Sequence, residues 1–160
     1  MAIEIERKFL LKNDDWRSAG HGTPYRQGYL SSRPESTVRV RIAGNSAFLT
    51  IKGRNVGACA LEFEYPLPLE DARTLLDQLA ERPLIEKIRY KIPHAGLVWE
   101  IDEFLGENQG LIIAEVELSQ PGQTISLPDW IGEEVTGDPR YFNSSLVKTP
   151  YKLWGGVDNK

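Results

Sequence analysis

Histidine, cysteine and long apolar runs are what this 160-residue chain has least of. The single cysteine, Cys59, cannot close an internal disulfide, and two histidines, His21 and His94, add too little to build a thiolate or imidazole metal cluster. Cys59 therefore reads as a small apolar filler in a reducing compartment. Both histidines fall in loop-like stretches and read as solvated side chains. No run of about 18 apolar residues occurs, which argues against a membrane-spanning helix, and the opening residues lack the apolar core of a signal peptide. A soluble, cytoplasmic protein is expected. The ordered patterns G-x-x-x-x-G-K-[ST], G-x-S-x-G and H-E-x-x-H are missing too; "GNSAFLTIKG" has glycines and a lysine, but not in P-loop order. Nor is there an excess of positive charge. A formal net charge of -4 argues against general affinity for nucleic acid or anionic lipid, so neither partner is expected.

What the chain does have is alternation. With 41% hydrophobic residues and no linker-like or low-complexity stretch, residues 1–160 read as one domain. Period-two patterns place strands at 2–11, 24–31, 37–43, 46–52, 60–67, 85–92, 97–104 and 111–119. Turn formers such as "RPES", "AGN", "PHAG" and "GENQG" separate them, and such short connections favour antiparallel neighbours. About eight strands is a workable number for closing a sheet on itself. Helix is sparse. In "LPLEDARTLLDQLAERP", Leu69, Ala72, Leu75, Leu76 and Leu79 recur at helical spacing behind an acidic first turn, and Pro83 ends the run. A shorter helix is expected in "DPRYFNSSLVK", with Asp138 as N-cap and Pro139 first inside. "NDDWRSAG" adds a helical turn, and the four tryptophans, Trp16, Trp99, Trp130 and Trp154, read as packing residues.

The alternation sorts charge onto one face. In phase lie Glu4, Glu6 and Lys8; Arg39 and Arg41; Lys52; Glu62 and Glu64; Lys87, Arg89 and Lys91; Glu100 and Asp102; Glu115 and Glu117. The opposite phase supplies Ile3, Ile5, Val38, Val40, Leu49, Ile51, Leu61, Phe63, Ile88, Tyr90, Trp99, Ile101, Ala114 and Val116, expected to pack beneath the leucine-rich helix. On a solvent-facing sheet, like charges at i and i+2 repel and gain little. Inside a closed sheet filled with water, metal ions and an anion, both signs have a use.

These blocks carry a resemblance. "EIERKF" is similar to the E-x-E-x-K opening of CYTH-domain proteins, the triphosphate tunnel metalloenzymes. In order, "RQGYL", "VRVRI", "LTIKG", "LEFEYPL", "EKIRY", "WEIDEF", "AEVEL" and "GEEVTGDPRYFNSSL" resemble that family's successive blocks over nearly the whole chain. The resemblance implies a mainly β (α+β) fold: a closed eight-stranded antiparallel barrel, its lumen charged and its helices outside. It implies a Mg²⁺- or Mn²⁺-dependent activity on a small-molecule triphosphate, as in compact bacterial inorganic triphosphatases, and suggests a homodimer.

Residue chemistry fits that expectation. Phosphoryl transfer is catalysed mainly by positioning and charge neutralisation. Arg39 and Arg41 can fork onto phosphate oxygens, and Lys8, Lys52, Lys87 and Arg89 can add charge from other walls. Arg140 reads equally as a phosphate contact at the tunnel mouth or as a salt-bridge partner. Glu4, Glu6, Glu115 and Glu117 are the first choices for metal contact, with Asp102 a further one; Mg²⁺ prefers such hard oxygen donors. Glu6, Glu117 and Lys87 are expected in catalysis, Lys87 polarising a phosphate or the leaving group. Glu62, Glu64 and Glu100 are expected to orient water, contact a second metal ion or hold the bases, and Tyr29 to close the lumen, contact a water or pack. The expected reaction is hydrolysis of tripolyphosphate to pyrophosphate and phosphate. Thiamine triphosphatase, nucleoside triphosphatase, a class IV type adenylate cyclase and a non-enzymatic polyphosphate binder remain alternatives.

Overall fold

The computed structural model describes residues 3–154. Ala2, at the start of the first expected strand, and residues 155–160 lie outside that range. The strands are β1 (Ile3–Leu11), β2 (Gly22–Arg33), β3 (Ser36–Ala43), β4 (Ser46–Gly53), β5 (Cys59–Leu67), β6 (Ile85–His94), β7 (Leu97–Phe104), β8 (Ile112–Glu117) and the short β9 (Ile131–Glu134). The helices are α1 (Leu69–Gln78) and α2 (Asn143–Lys148), with 3-10 turns at Asp15–Ser18, Gly106–Asn108, Pro139–Tyr141 and Tyr151–Leu153.

Hydrogen bonding runs β5-β4-β3-β2-β6-β7-β8-β1, and β5 then pairs back onto β1. The result is a closed ring of eight strands whose neighbours are all antiparallel. Strand β1 closes it. One of its edges carries β8, from Glu6 opposite Glu117 to Leu10 opposite Ile113. Its other edge is shared: Ile3–Ile5 pair with Leu61–Cys59, and from Phe9 onward β9 takes over. Strand β9 was not apparent in the sequence, because four residues reading "IGEE" show no alternation long enough to register. Two hairpins depend on their turn residues. Ala95 and Gly96 both adopt positive φ, 50° and 84°, as a type I′ turn requires, and Gly44 stands at φ 60° between β3 and β4.

Apolar side chains outside the ring form separate cores. Phe9, Trp16, Trp99, Ile101 and Val116 gather on the β1–β6–β7–β8 side, where Trp99 meets Phe9 at 5.5 Å and Trp130 at 6.0 Å. Leu146 and Val147 of α2 pack with Tyr29, Ile85, Phe104 and Ile113. Ala72 and Leu76 of α1 pack against Val40 and Ala47. A Cβ at position 28 would meet the Ala80 Cβ at 2.9 Å and the Leu76 Cδ2 at 3.0 Å, so Gly28 lets β2 approach this helical layer.

Three expectations about the exterior change. Helix α1 lies over β3 and β4 and touches β2 through Leu76 and Asp77, and its 10 residues leave the far side of the ring uncovered. Ile3, Ile51, Leu61 and Phe63 therefore remain 45%, 37%, 52% and 42% exposed instead of packing beneath it. Leu79, expected in the helix stripe, follows the last helical residue and is exposed. The C-terminal helix is also split: Asp138 caps the 3-10 turn by accepting the Arg140 N–H, and α2 starts separately at Asn143. Among the described residues no helix is long and apolar enough to cross a membrane.

Leu76 is fully buried in the α1 core. Leu76→Ala is expected to lower the unfolding free energy by about 2–5 kcal/mol, measured as a shift of the urea midpoint at unchanged m-value.

Candidate active site

Strand alternation sends every second side chain of the ring inward, around a cavity of about 710 Å³. Ring order then sorts charge in a way that chain order does not. The neighbouring strands β4, β3, β2 and β6 bring Lys52, Arg39, Arg41, Lys87 and Arg89 to one arc of the wall. The neighbours β7, β8, β1 and β5 bring Glu100, Glu115, Glu117, Glu4, Glu6, Glu62 and Glu64 to the other, with Lys8 as the cation among them.

Ion pairs stitch the arcs together. Lys52 Nζ stands 2.9 Å from Glu4 and 3.6 Å from Glu6, across the β1–β5 seam. Lys8 Nζ is 3.2 Å from Glu115, and Arg89 reaches Glu100 at 3.2 Å and Glu115 at 3.7 Å. Asp102 and Lys87 are each 1% exposed: Asp102 Oδ1 accepts from Arg89 Nε at 2.7 Å, and its Oδ2 accepts from Lys87 Nζ at 2.7 Å and Arg89 Nη2 at 2.8 Å. Arg39 donates to Thr50 Oγ1 at 3.1 Å, and Thr50 donates to Glu64 at 3.1 Å. The Nε of Arg39 is buried without a hydrogen-bond partner among the described residues.

The CYTH domain model matches residues 2–151. The chain belongs to the CYTH domain family. An inorganic triphosphatase of Acetivibrio thermocellus is 51% identical over 152 residues, spanning 95% of this chain and 97% of that protein. An inorganic triphosphatase of Nitrosomonas europaea is 36% identical over 149 residues, spanning 90% and 96%. A crystal structure of an inorganic triphosphatase matches at TM-score 0.63 and 34% identity, covering 89% of this chain and 96% of that one.

The CYTH ring thus brings together most of the residues singled out from sequence: Glu4, Glu6, Lys8, Tyr29, Arg39, Arg41, Lys52, Glu62, Glu64, Lys87, Arg89, Glu100, Glu115 and Glu117 all line the cavity. Two do not. Asp102 is not among the residues lining the cavity; it lies deeper, accepting three short hydrogen bonds from Lys87 and Arg89. Arg140 lies largely exposed beside a shallow outer hollow, bonded to Asp138 and near the Tyr141 and Trp154 rings. Of the two roles open to it, the salt bridge is the one observed. Sequence reasoning missed Gln27, Thr50 and Asn143. Gln27 and Thr50 are in phase with their charged neighbours, a signal that was present but neutral. Asn143 comes from α2, outside the ring, and carried no strand signal.

Burial and crowding shift several protonation equilibria in the CYTH cavity. Burial, reinforced by Glu115 and Glu4, raises Glu6 to about 8. Burial and Glu4 raise Glu62 to about 7, and Glu117 is also raised by burial, Glu4 and Glu100. Burial lowers Lys87 to about 7, helped by Arg89 and Arg41 against the pull of Asp102. Burial likewise lowers Arg41 to about 10, with Arg39 and Arg89 adding repulsion. For Glu115 and Asp102 burial pushes upward, but the surrounding cations win and hold both carboxyls below their usual range. Burial weighs against charge on Lys8, yet Glu115 and Glu6 outweigh it and raise its affinity for the proton.

Because Glu6 and Glu62 bind protons more tightly folded than unfolded, the native state holds more protons from about pH 5 to pH 7, and stability falls as pH rises through that window. Glu115 and Asp102 are ionised in both states there; their stabilisation is lost only on further acidification. Urea midpoints of chelator-treated protein are expected to fall between about pH 5 and pH 7, and Glu6→Gln is expected to flatten the slope.

Proposed function

We propose that this CYTH protein hydrolyses inorganic tripolyphosphate to pyrophosphate and phosphate with the aid of a divalent cation, Mg²⁺ or Mn²⁺. The observation that carries this reading is the sorted lumen: a basic arc able to bind a linear polyanion faces an acidic arc able to hold cations, within one cavity. The inorganic triphosphatase relatives supply the substrate class. Among the described residues the aromatic rings at the cavity are Tyr29, only 5% exposed, and Phe142, whose ring lies 5.6 Å from Lys8 Nζ. Tyr29 is buried and Phe142 already carries the Lys8 ammonium against its ring, which favours the inorganic substrate over the nucleoside and thiamine triphosphates.

The donor chemistry fits a hard divalent ion. Among the described residues no three carboxylates or imidazoles already form a cage. Mg²⁺ does not need one, since it keeps several waters and is commonly held by one or two carboxylates plus substrate phosphate oxygens. Glu4, Glu6 and Glu117 would hold the cation. Glu115 is already engaged by Lys8 and Arg89, and Lys52 supplies positive charge beside Glu4 and Glu6. When bound, the cation supplies charge neutralisation at the phosphates and lowers the pKa of coordinated water.

The chain's own residues do the rest. Arg39 and Arg41, each steadied by a neutral partner, Thr50 or Gln27, clamp the phosphate chain. Lys87, fixed by Asp102 at 2.7 Å, faces the bridging oxygen and stabilises negative charge there as the terminal P–O bond breaks. Arg89, tied to the same carboxylate, holds the electrostatic frame. The carboxylates of Glu6 and Glu117, opposite one another in register, line up the attacking water.

Phosphate release from tripolyphosphate is expected with Mg²⁺ or Mn²⁺ and none with chelator, with ATP and thiamine triphosphate turned over more slowly. Cyclic AMP formed from ATP would point instead to a cyclase, and no metal-dependent turnover of any triphosphate would remove the hydrolase reading. Arg41→Ala, Lys87→Ala and Glu6→Gln are each expected to lower kcat/KM about 100-fold or more. A mere anion binder would bind tripolyphosphate no worse after Glu6→Gln.

A further inference from the structure

Asn143 is the first residue of α2, an element outside the ring, and it lines the cavity. Its position is fixed by its surroundings. The Val135 N–H donates to Lys8 O at 2.8 Å and the Lys8 N–H donates to Thr136 Oγ1 at 2.9 Å, tying the approach to α2 onto β1. Leu146 and Val147 then bury the helix.

A chain of neutral amides runs between two cations on different strands. Arg41 Nε donates to Gln27 Oε1 at 2.8 Å; Gln27 Nε2 donates to Asn143 Oδ1 at 3.0 Å; Lys87 Nζ donates to the same Asn143 Oδ1 at 2.9 Å. Arg and Lys are donors only, so each end of the chain dictates which way the amides face. Gln27 must turn its oxygen to Arg41, and Asn143 must turn its oxygen to Lys87. Gln27 is completely buried, so this orientation has no solvent alternative. Both lone pairs of Asn143 Oδ1 are then occupied by protein donors, and its Nδ2 has no acceptor among the described residues. A carboxylate in this place would satisfy Lys87 and Gln27 equally well but would repel a polyanion. An amide satisfies them, adds no charge, and leaves two N–H groups at the cavity.

We propose that Asn143 is a positioning residue for the triphosphate reaction, holding Lys87 and, through Gln27, Arg41, while its Nδ2 amide donates to a phosphate oxygen of the bound substrate. This rests on the hydrolase reading and adds to it a contact supplied from beyond the strands.

Asn143→Asp and Asn143→Ala, with thermal melting as the control on folding, test it through separate kcat and KM for tripolyphosphate with Mg²⁺. Asn143→Asp keeps the acceptor, loses the donor and adds a charge that repels the polyanion, so KM is expected to rise at least about tenfold with a smaller loss of kcat. Asn143→Ala loses both functions, and kcat is expected to fall about tenfold or more together with a raised KM. Folded variants whose kcat/KM stays within about twofold of the parent protein would overturn the proposal, as would an Asn143→Asp protein with unchanged KM. Should Asn143→Ala fail to fold, the near-isosteric Asn143→Asp decides. If the parent protein shows no turnover, the hydrolase reading fails by itself; calorimetric titration of tripolyphosphate with Mg²⁺ into parent and Asn143→Asp then decides the contact, and equal affinities sink it.

Discussion

Everything in this molecule depends on β1 being paired along both edges. With β8 on one side and β5 then β9 on the other, the first strand converts an open antiparallel sheet into a ring. An open sheet would leave the charged face to bulk water, where exposed ion pairs contribute little. Closure removes much of that water and multiplies the strength of each electrostatic contact. It also brings the Glu6–Glu117 and Lys8–Glu115 positions into register, although each pair is separated by more than a hundred residues of chain.

The cost of enclosing so much charge is met by arrangement. Asp102 is the clearest case, a carboxylate with three short donor contacts from two bases and almost no solvent exposure. Removing one member of such a buried set typically costs several kcal/mol because the remaining charge is left uncompensated. Closer to the open lumen, compensation is looser. Lys52 is shared between two carboxylates and Arg39 keeps a buried donor without a partner. The frame around Asp102 is fully satisfied, and the groups nearer the lumen keep capacity for a ligand. That contrast distinguishes a structural ion cluster from a binding surface.

Much of this was legible in the chain. Period-two alternation located the ring strands and the inward charges, because strand pleating turns phase directly into direction. Asp102 shows the limit of that logic. It is in phase with Glu100, yet it sits one pair deeper in the β6–β7 ladder, opposite Arg89, and is consumed by its neighbours. The sorting into arcs was not legible either, since β2 pairs with β6 and β1 with β8, long-range choices that alternation does not encode. Asn143 was invisible for a related reason: its contribution arises from where α2 docks. The outer face differed because a ten-residue helix covers only part of a ring's circumference.

The late return of the chain to its own first strand has a kinetic meaning. Hairpins such as β3–β4 and β6–β7 link neighbours in sequence and can assemble locally, whereas β1 must wait for β8, since pairings of large sequence separation carry the greater loop-closure penalty. The runs β2–β5 and β6–β8, each built from pairings between consecutive strands, can therefore form early, and the ring is completed as β2 meets β6 and the N-terminal strand docks. Until then the nascent barrel is a gutter with its ionic groups bathed in solvent, and the act of sealing it is also the act that makes the lumen.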